Sequence, residues 1–308
     1  MARASGKVIL LGEHAVVYGA PALAAGLDRG VEAVARHAER AALELGERRA
    51  TADDGSELAR AFTALLAVLG APPLAVRVRL ELPAGSGLGA SAALGVGIAR
   101  AVLECVEPAA DAGAPAARAR VLAAADAWER IFHGNPSGID AAAAESGGCI
   151  HFTRANGPAP VFVKRTLPLV IAVAGPPSST RAMVDSVARL AGRRPDLVGK
   201  SVAGIGALVD NARLCIEAGD LPGLGKLMDL NQMLLAGLML STEAIENACE
   251  AARRAGALGA KLTGAGGGGS VVALADLDPE PVLAAWRAEG LTCFAANVRE
   301  DPSTGATP

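Results

Sequence analysis

The chain has 308 residues, 51% of them hydrophobic, and a formal net charge of −3, enough apolar material for one large core or two ordinary ones. That charge and an aromatic content of 3% exclude the basic footprint and the base-stacking platforms of a nucleic-acid binder. No apolar run approaches the ~20 residues of a membrane span. The run Val8 to Leu11 is cut by Glu13 and His14 too soon for a signal-peptide core, and the five cysteines are scattered with no CxxC pair, a pattern of reduced thiols in a cytoplasmic protein.

In chain order, residues 5–11 and 30–36 read as strands. Residues 56–69 have helical spacing, with Leu58, Phe62, Leu65, Leu66 and Leu69 on one face. Residues 74–82, LAVRVRLEL, alternate cleanly as a half-buried strand. A break at 83–89 leads into an apolar helix at 90–106, and a second helix covers 116–131 before the turn-rich stretch 133–138. The pattern restarts near residue 161. A buried strand at 169–173 is followed by a helix at 178–190 and by helices through 196–249, broken at 219–222 and near Ser241. Then come a strand around 257–263, a glycine loop, a strand at 270–275, a helix at 280–288 and a last strand at 291–298. Strand, helices, two strands, helix, strand is the order of a ferredoxin-like α+β unit, so two domains are expected to meet near residue 165, with a frayed tail from 301.

Four segments carry candidate chemistry. In Pro83-Ala-Gly-Ser-Gly-Leu-Gly-Ala-Ser91, amides freed at Gly85, Gly87 and Gly89 and a helix N-terminus make an anion nest. Ser91 could cap that helix or face a phosphate-bound metal. The same letters match a dinucleotide fingerprint, but Glu104 and Glu107, at the required distance, end a helix instead of a strand. A Walker A loop is absent: the GKS at 199–201 has Arg194 where the first glycine belongs. A hydrolase reading with Ser91, Asp140 and His151 lacks the second glycine of a nucleophile elbow.

In the second segment, 129–140 (ERIFHGNPSGID), Glu129 and Asp140 flank a tight turn. Phosphoryl transfer to an alcohol needs one acidic group at the hydroxyl and another on Mg²⁺, and these two could serve; surface placement and N-capping are the structural alternatives. The third segment, Lys261-Leu-Thr-Gly-Ala-Gly-Gly-Gly-Gly-Ser270, has too many glycines for a simple hairpin and implies close backbone approach. The fourth is 6–19, GKVILLGEHAVVYG, where Lys7, Glu13 and His14 interrupt apolar sequence and suggest a lined site. Of 29 basic residues only five are lysine, and Lys7 and Lys261 both fall in these segments.

Together KVILLGEHAVVYG, PAGSGLGASAAL and KLTGAGGGG, in that order and spanning nearly the whole chain, resemble the galactokinase–homoserine kinase–mevalonate kinase–phosphomevalonate kinase superfamily. GEHAVVYG and FHGNPSGID resemble its mevalonate-phosphorylating branch. The resemblance implies an α+β fold with two domains: an N-terminal ATP-binding domain like ribosomal protein S5 domain 2 (1–165) and a C-terminal ferredoxin-like domain (166–308), with the active site in the cleft between them. It implies transfer of the γ-phosphoryl of ATP, with Mg²⁺, to the primary hydroxyl of mevalonate in isoprenoid synthesis. Asp140 and Lys7 would be catalytic, and Ser91 and Glu129 would hold the metal. Glu13, His14 and Thr180 would face the acceptor. Pro83, Gly85, Ser86, Gly87, Leu88, Gly89, Ala90 and Ser91 would hold the ATP phosphates, supported by Gly264, Ala265, Gly266 and Gly267. Ala90 departs from the family's GLGSSA loop. The partners implied are ATP and mevalonate, without nucleic acid or membrane, and with a homodimer left open. A related kinase with another acceptor, or an idle nucleotide-binding regulator, remains as the alternative.

Overall fold

A computed structural model describes residues 1–83, 86–133, 138–176 and 178–301. By contacts the chain gathers into two compact units. The first draws its described residues from 1–7, 29–84 and 89–147, and the second from 8–28, 85–88 and 148–308.

In the first unit, the long strands β1 (Ala2–Leu11) and β2 (Ala22–His37) both begin or end. Gly30 marks their close approach: a Cβ there would run into the carbonyl of Ala4 and lie 2.8 Å from the amide nitrogen of Gly6. The C-terminal half of β2 pairs antiparallel with β5 (Leu74–Leu80), Val31 opposite Leu80 and His37 opposite Leu74. Two short strands, β3 (Ala42–Leu45) and β4 (Arg48–Thr51), extend this sheet, β3 running parallel to β5. Sequence pattern missed both, because four residues are too few to establish a period of two.

Helix α1 (Glu57–Leu69) buries Phe62, Leu65, Leu66 and Leu69 as the spacing predicts, and Ser56 caps it by accepting from the amide of Ala59. Helix α2 (Ala90–Val106) is buried over most of its length, so its sequence is mostly small or apolar, with Ser91, Arg100 and Glu104 as exceptions. Gly95 and Gly97 make room for neighbours: a Cβ at Gly97 would lie 2.8 Å from Val31, and one at Gly95 would lie 3.0 Å from Trp128. Helix α3 (Pro115–His133) supplies Trp128, and α4 (Ile139–Ser146) completes the unit. Each large apolar side chain buried in this core contributes about 1.5–3 kcal/mol.

In the second unit the N-terminal half of β2 pairs with β6 (Cys149–Thr153), which pairs with β7 (Gly157–Val161). A separate antiparallel sheet has the order β11-β8-β10-β9, formed by β8 (Leu167–Gly175), β9 (Gly259–Thr263), β10 (Gly269–Leu274) and β11 (Thr292–Val298). With α9 (Glu280–Ala288) between β10 and β11, this is the ferredoxin-like arrangement expected from the sequence. Four helices stand where that fold has one between its first two strands: α5 (Thr180–Arg193), α6 (Pro195–Ala218), α7 (Leu221–Gly237) and α8 (Glu243–Arg254).

Strand β9 is an edge, and α7 covers it chemically. Asp229 accepts from the amide of Ala260 at 2.9 Å, and Gln232 accepts from that of Leu262 at 2.9 Å. The unpaired donors of an edge strand are thereby satisfied without another strand. Among the described residues no helix is long and apolar enough to cross a membrane.

Candidate active site

The first unit assembles four of the residues singled out by sequence. Lys7, on β1 and only 4% exposed, places its ammonium 3.2 Å from Oδ1 of Asp140. Asp140 lies in the first turn of α4, whose N-cap is Gly138 in the left-handed region with no side-chain cap bond. Asp140 is therefore not an N-cap, and its half-buried carboxylate is free to work beyond the helix. Gly89, in the left-handed region at φ +70, packs on the aliphatic stem of Lys7 and fixes where that stem runs.

Glu129 is 5% exposed near the end of α3, so a surface role does not hold. Its carboxylate accepts a short hydrogen bond from the Ser91 hydroxyl. Ser91 thus spends its proton on Glu129 and leaves the N-terminus of α2 uncapped, since Gly89 at the cap has no side chain to offer. Burial pushes the Glu129 carboxyl above the usual carboxylate range and the charge of Asp140 adds to this. The Ser91 bond and the charges of His133 and Lys7 pull it back. His133 Nε2 stands 4.0 Å from the Glu129 carboxylate. A buried carboxylate whose own protein partners undercompensate its charge is suited to a cation. Carboxylate and hydroxyl oxygens are the hard donors Mg²⁺ prefers, with phosphates and water completing its shell. Among the described residues no group of three or more His, Cys, Asp or Glu side chains forms a metal cage of its own.

The second unit holds the acceptor-side candidates. Residues 12–14 are conformationally unusual. Gly12 has φ +104 and a Cβ there would strike Ala22, while His14 has φ 59 although it is not glycine. Such backbone strain persists where surroundings enforce it, and here they do. His14 Nε2 is 2.7 Å from the carbonyl oxygen of Ala265. A carbonyl only accepts, so Nε2 carries the proton and Nδ1 is left as an acceptor. Burial lowers the His14 pKa, against the opposing pull of the Ala265 bond and Glu13, which keeps the ring neutral near pH 7.

Glu13 is enclosed, with one carboxylate oxygen held by Lys261 and the other 3.1 Å from Asn231 Nδ2. Thr263 meets the backbone of Ile9 twice, both bonds at 3.1 Å. The end of β1 is therefore tied to β9 and the following glycine loop at three successive points. That loop is anchored elsewhere too. Gly267 donates to Leu240 at 2.7 Å, Ser178 donates to the carbonyl of Gly266, and Ser270 donates to the carbonyl of Ser86 at 2.6 Å. Gly264, Gly266 and Gly267 all have positive φ, and Gly266 has no space for a Cβ beside Leu240. Close backbone packing, as the glycine count implied, is the result.

Thr180 is exposed at the start of α5, two residues after Ser178. Of the phosphate-loop candidates, Gly87 and Gly89 have the positive φ that such a nest uses, Leu88 is buried, and Gly85 lies outside the described residues, as do positions 134–137 of the FHGNPSGID segment. Sequence reasoning missed Asn231, Ser178 and the partner of Lys261. The adjacent Asn231 and Gln232, polar within the apolar LMDLNQMLLAG of α7, were the one local signal available.

With this geometry in hand, residues 56–148 match the GHMP kinases N terminal domain and residues 212–291 match GHMP kinases C terminal. A mevalonate kinase of Thermococcus gammatolerans is 31% identical over 98% of this chain and 96% of its own. The chain belongs to the GHMP kinase family, on its mevalonate kinase branch. A mevalonate kinase of Methanothermobacter thermautotrophicus is 36% identical over 88% of this chain and 89% of its own. Among solved structures, that of L. major mevalonate kinase in complex with R-mevalonate matches with a TM-score of 0.86 and 30% identity, covering 97% of this chain and 95% of that one. The protein is a small-molecule kinase of the mixed α+β GHMP kinase fold.

Proposed function

We propose that this kinase transfers the γ-phosphoryl group of ATP to the primary hydroxyl of (R)-mevalonate, giving 5-phosphomevalonate and ADP for isoprenoid synthesis in the cytoplasm. The observation that carries the reading is the Lys7–Asp140 pair at 3.2 Å beside the Ser91–Glu129 pair. Both lie in a chain whose curated relatives are mevalonate kinases over nearly its full length.

In the proposed reaction Asp140 accepts the proton of the acceptor hydroxyl while the hydroxyl oxygen forms the new bond to the γ-phosphorus. The bond from that phosphorus to the β,γ-bridging oxygen breaks and ADP leaves. Lys7 aligns Asp140 and presents a compact positive charge to the transferring group. Ser91 and Glu129 would hold Mg²⁺, which when bound neutralises phosphate charge. The positive-φ glycines of the 83–91 loop present backbone amides to the phosphates. His14, with Nδ1 as an acceptor, and Thr180 would orient mevalonate, and Glu13 acts from behind by anchoring the His14 turn.

An ATP-consumption assay across mevalonate, phosphomevalonate, galactose and homoserine tests the acceptor. Mevalonate is expected to dominate kcat/KM, and preference for another acceptor overturns the assignment. Asp140→Asn is expected to lower kcat by about 10²–10⁴-fold with ATP binding retained; near-native turnover would remove Asp140 from the reaction.

A further inference from the structure

The proposed reaction makes no use of Glu145, yet this carboxylate is at least as enclosed as that of Glu129. It sits on α4 five residues after Asp140, with its side chain 4% exposed. Arg118 of α3 grips it in the two-pronged manner of a guanidinium on a carboxylate, Nε to Oε1 at 2.9 Å and a terminal nitrogen to Oε2 at 2.7 Å. Arg100 of α2 bonds Oε1 at 3.1 Å and the main-chain carbonyl of Glu145 at 2.6 Å. The other terminal nitrogen of Arg100 reaches the carbonyl of Arg3 on β1 at 2.7 Å.

The choice of partners is the informative point. A buried carboxylate needs pairing wherever it stands, and a single arginine would suffice. Here the pairing joins β1, α2, α3 and α4, the four elements that carry Lys7, Ser91, Glu129 and Asp140. Each tie lies remote from its reacting group: nine residues from Ser91 along α2, eleven from Glu129 along α3, five from Asp140 along α4, or ~13, ~16 and ~7 Å of helix. Helix α4 has eight residues, and among the described residues no side chain caps its entry at Gly138. Its direction therefore depends heavily on what holds its far end.

We propose that the Arg100–Glu145–Arg118 cluster is a distal positioning device that sets Asp140 against Lys7 and Glu129 against Ser91. The proposal rests on the reading of those four residues as the reacting centre. Arg100, Glu145 and Arg118 are positioning residues; none is assigned contact with a substrate. A tilt of α4 by about 8° over its ~7 Å lever moves Asp140 by ~1 Å, and errors of that size can cost about 10²-fold in rate.

Steady-state kinetics of Glu145→Gln, alone and in an Asp140→Asn background, test this at a temperature where circular dichroism shows each variant folded. Glu145→Gln keeps the shape and removes the charge that holds two guanidinium groups. Its kcat is expected to fall by about 10–10²-fold with the KM for ATP changed by less than about twofold. In the Asp140→Asn background, whose residual turnover is followed with radiolabelled ATP, the second substitution is expected to add little, because the geometry it protects is no longer used. Unchanged kcat in Glu145→Gln, or an equal loss in both backgrounds, overturns the proposal. Arg118→Met covers the case in which Glu145→Gln fails to fold. It leaves Glu145 paired with Arg100 and should show the same split in smaller measure; native kcat there overturns the proposal equally. If Asp140→Asn itself turns over normally, the reading of the reacting centre fails and the clamp is not the cause.

Discussion

Gly89 and Gly87 offer a controlled test of how the Lys7 ammonium is placed. Both adopt left-handed backbone, φ +70 and +72, in the same loop. An alanine at either position therefore meets a similar strain, about 1–2 kcal/mol. Their surroundings differ. A Cβ on Gly89 would stand 2.5 Å from Cγ of Lys7 and 3.2 Å from its Cε, whereas one on Gly87 would meet nothing within 4 Å among the described residues. Restoring ordinary contact at Gly89 requires the Lys7 stem to move by about 1 Å, because packed carbon atoms do not approach closer than van der Waals contact. Lys7 is enclosed and its ammonium is 3.2 Å from Asp140, so that shift passes to the charged end. A misplacement of about 1 Å can cost about 10²-fold. Gly89→Ala is thus expected to lose roughly two orders of magnitude in kcat, while Gly87→Ala loses mainly stability. Thermal melts and steady-state kinetics with mevalonate on the two variants separate strain from displacement. Equal kcat in the pair, or native kcat in Gly89→Ala, would refute the claim that Gly89 positions Lys7.

Three further expectations follow from the same contacts. Lys7→Arg should lose kcat heavily with ATP affinity little changed, because a planar fork cannot occupy the place of a point charge against Gly89; an active variant in parallel kinetics and nucleotide titration would contradict this. Glu129→Gln should need at least about tenfold more Mg²⁺, read from a metal titration of kcat. Because burial raises the folded-state pKa of Glu129, the metal-free protein should lose stability as pH rises from the ordinary carboxylate pKa through that raised value; melts of Glu129→Gln should lack this decline, and an identical pH profile would count against the raised pKa. Lys261→Met strands the Glu13 carboxylate and should destabilise by about 3–5 kcal/mol in urea titrations, with Glu13→Gln added in the same chain recovering a substantial part.

The elements legible in sequence were those with a long period or a glycine punctuation. Helix α2 begins at Ala90 and ends at Val106 as its apolar run does, and α9 covers Glu280–Ala288 as read. Strand β2 begins at Ala22, eight residues before the alternation shows, because its first half is buried as Ala-Leu-Ala-Ala and has no polar face to alternate with. Helix α4 is hidden for a related reason: the four alanines Ala141 to Ala144 after Asp140 set no period. The glycine loops and the individual candidates Lys7, Ser91, Glu129 and Asp140 were visible because each breaks a local pattern. The pairings among distant charges were not. Glu13 meets Lys261 across 248 positions and Glu145 meets Arg118 across 27, and a carboxylate destined for such a pair is written in sequence like any surface glutamate.

The distribution of lysine ties these observations together. Lys164, Lys200 and Lys226 are exposed, while Lys7 and Lys261 are 4% and 0% exposed. In a chain that otherwise favours arginine, the two enclosed cations among the described residues are both lysine, and each has main chain against it. Lys7 runs under Gly89, and Lys261 reaches Glu13 while donating to the carbonyl of its neighbour Leu262 at 2.5 Å. A guanidinium has five donors in a fixed plane and needs acceptors spread to match. Neither place supplies them, whereas one carboxylate and close-packed main chain suit an ammonium. At Glu145, a buried carboxylate approached by two guanidinium groups that keep contact with solvent, the chain uses arginines. The choice of cation thus follows the space around each carboxylate: a point charge where backbone crowds the site, and forks where four elements must be gripped at once.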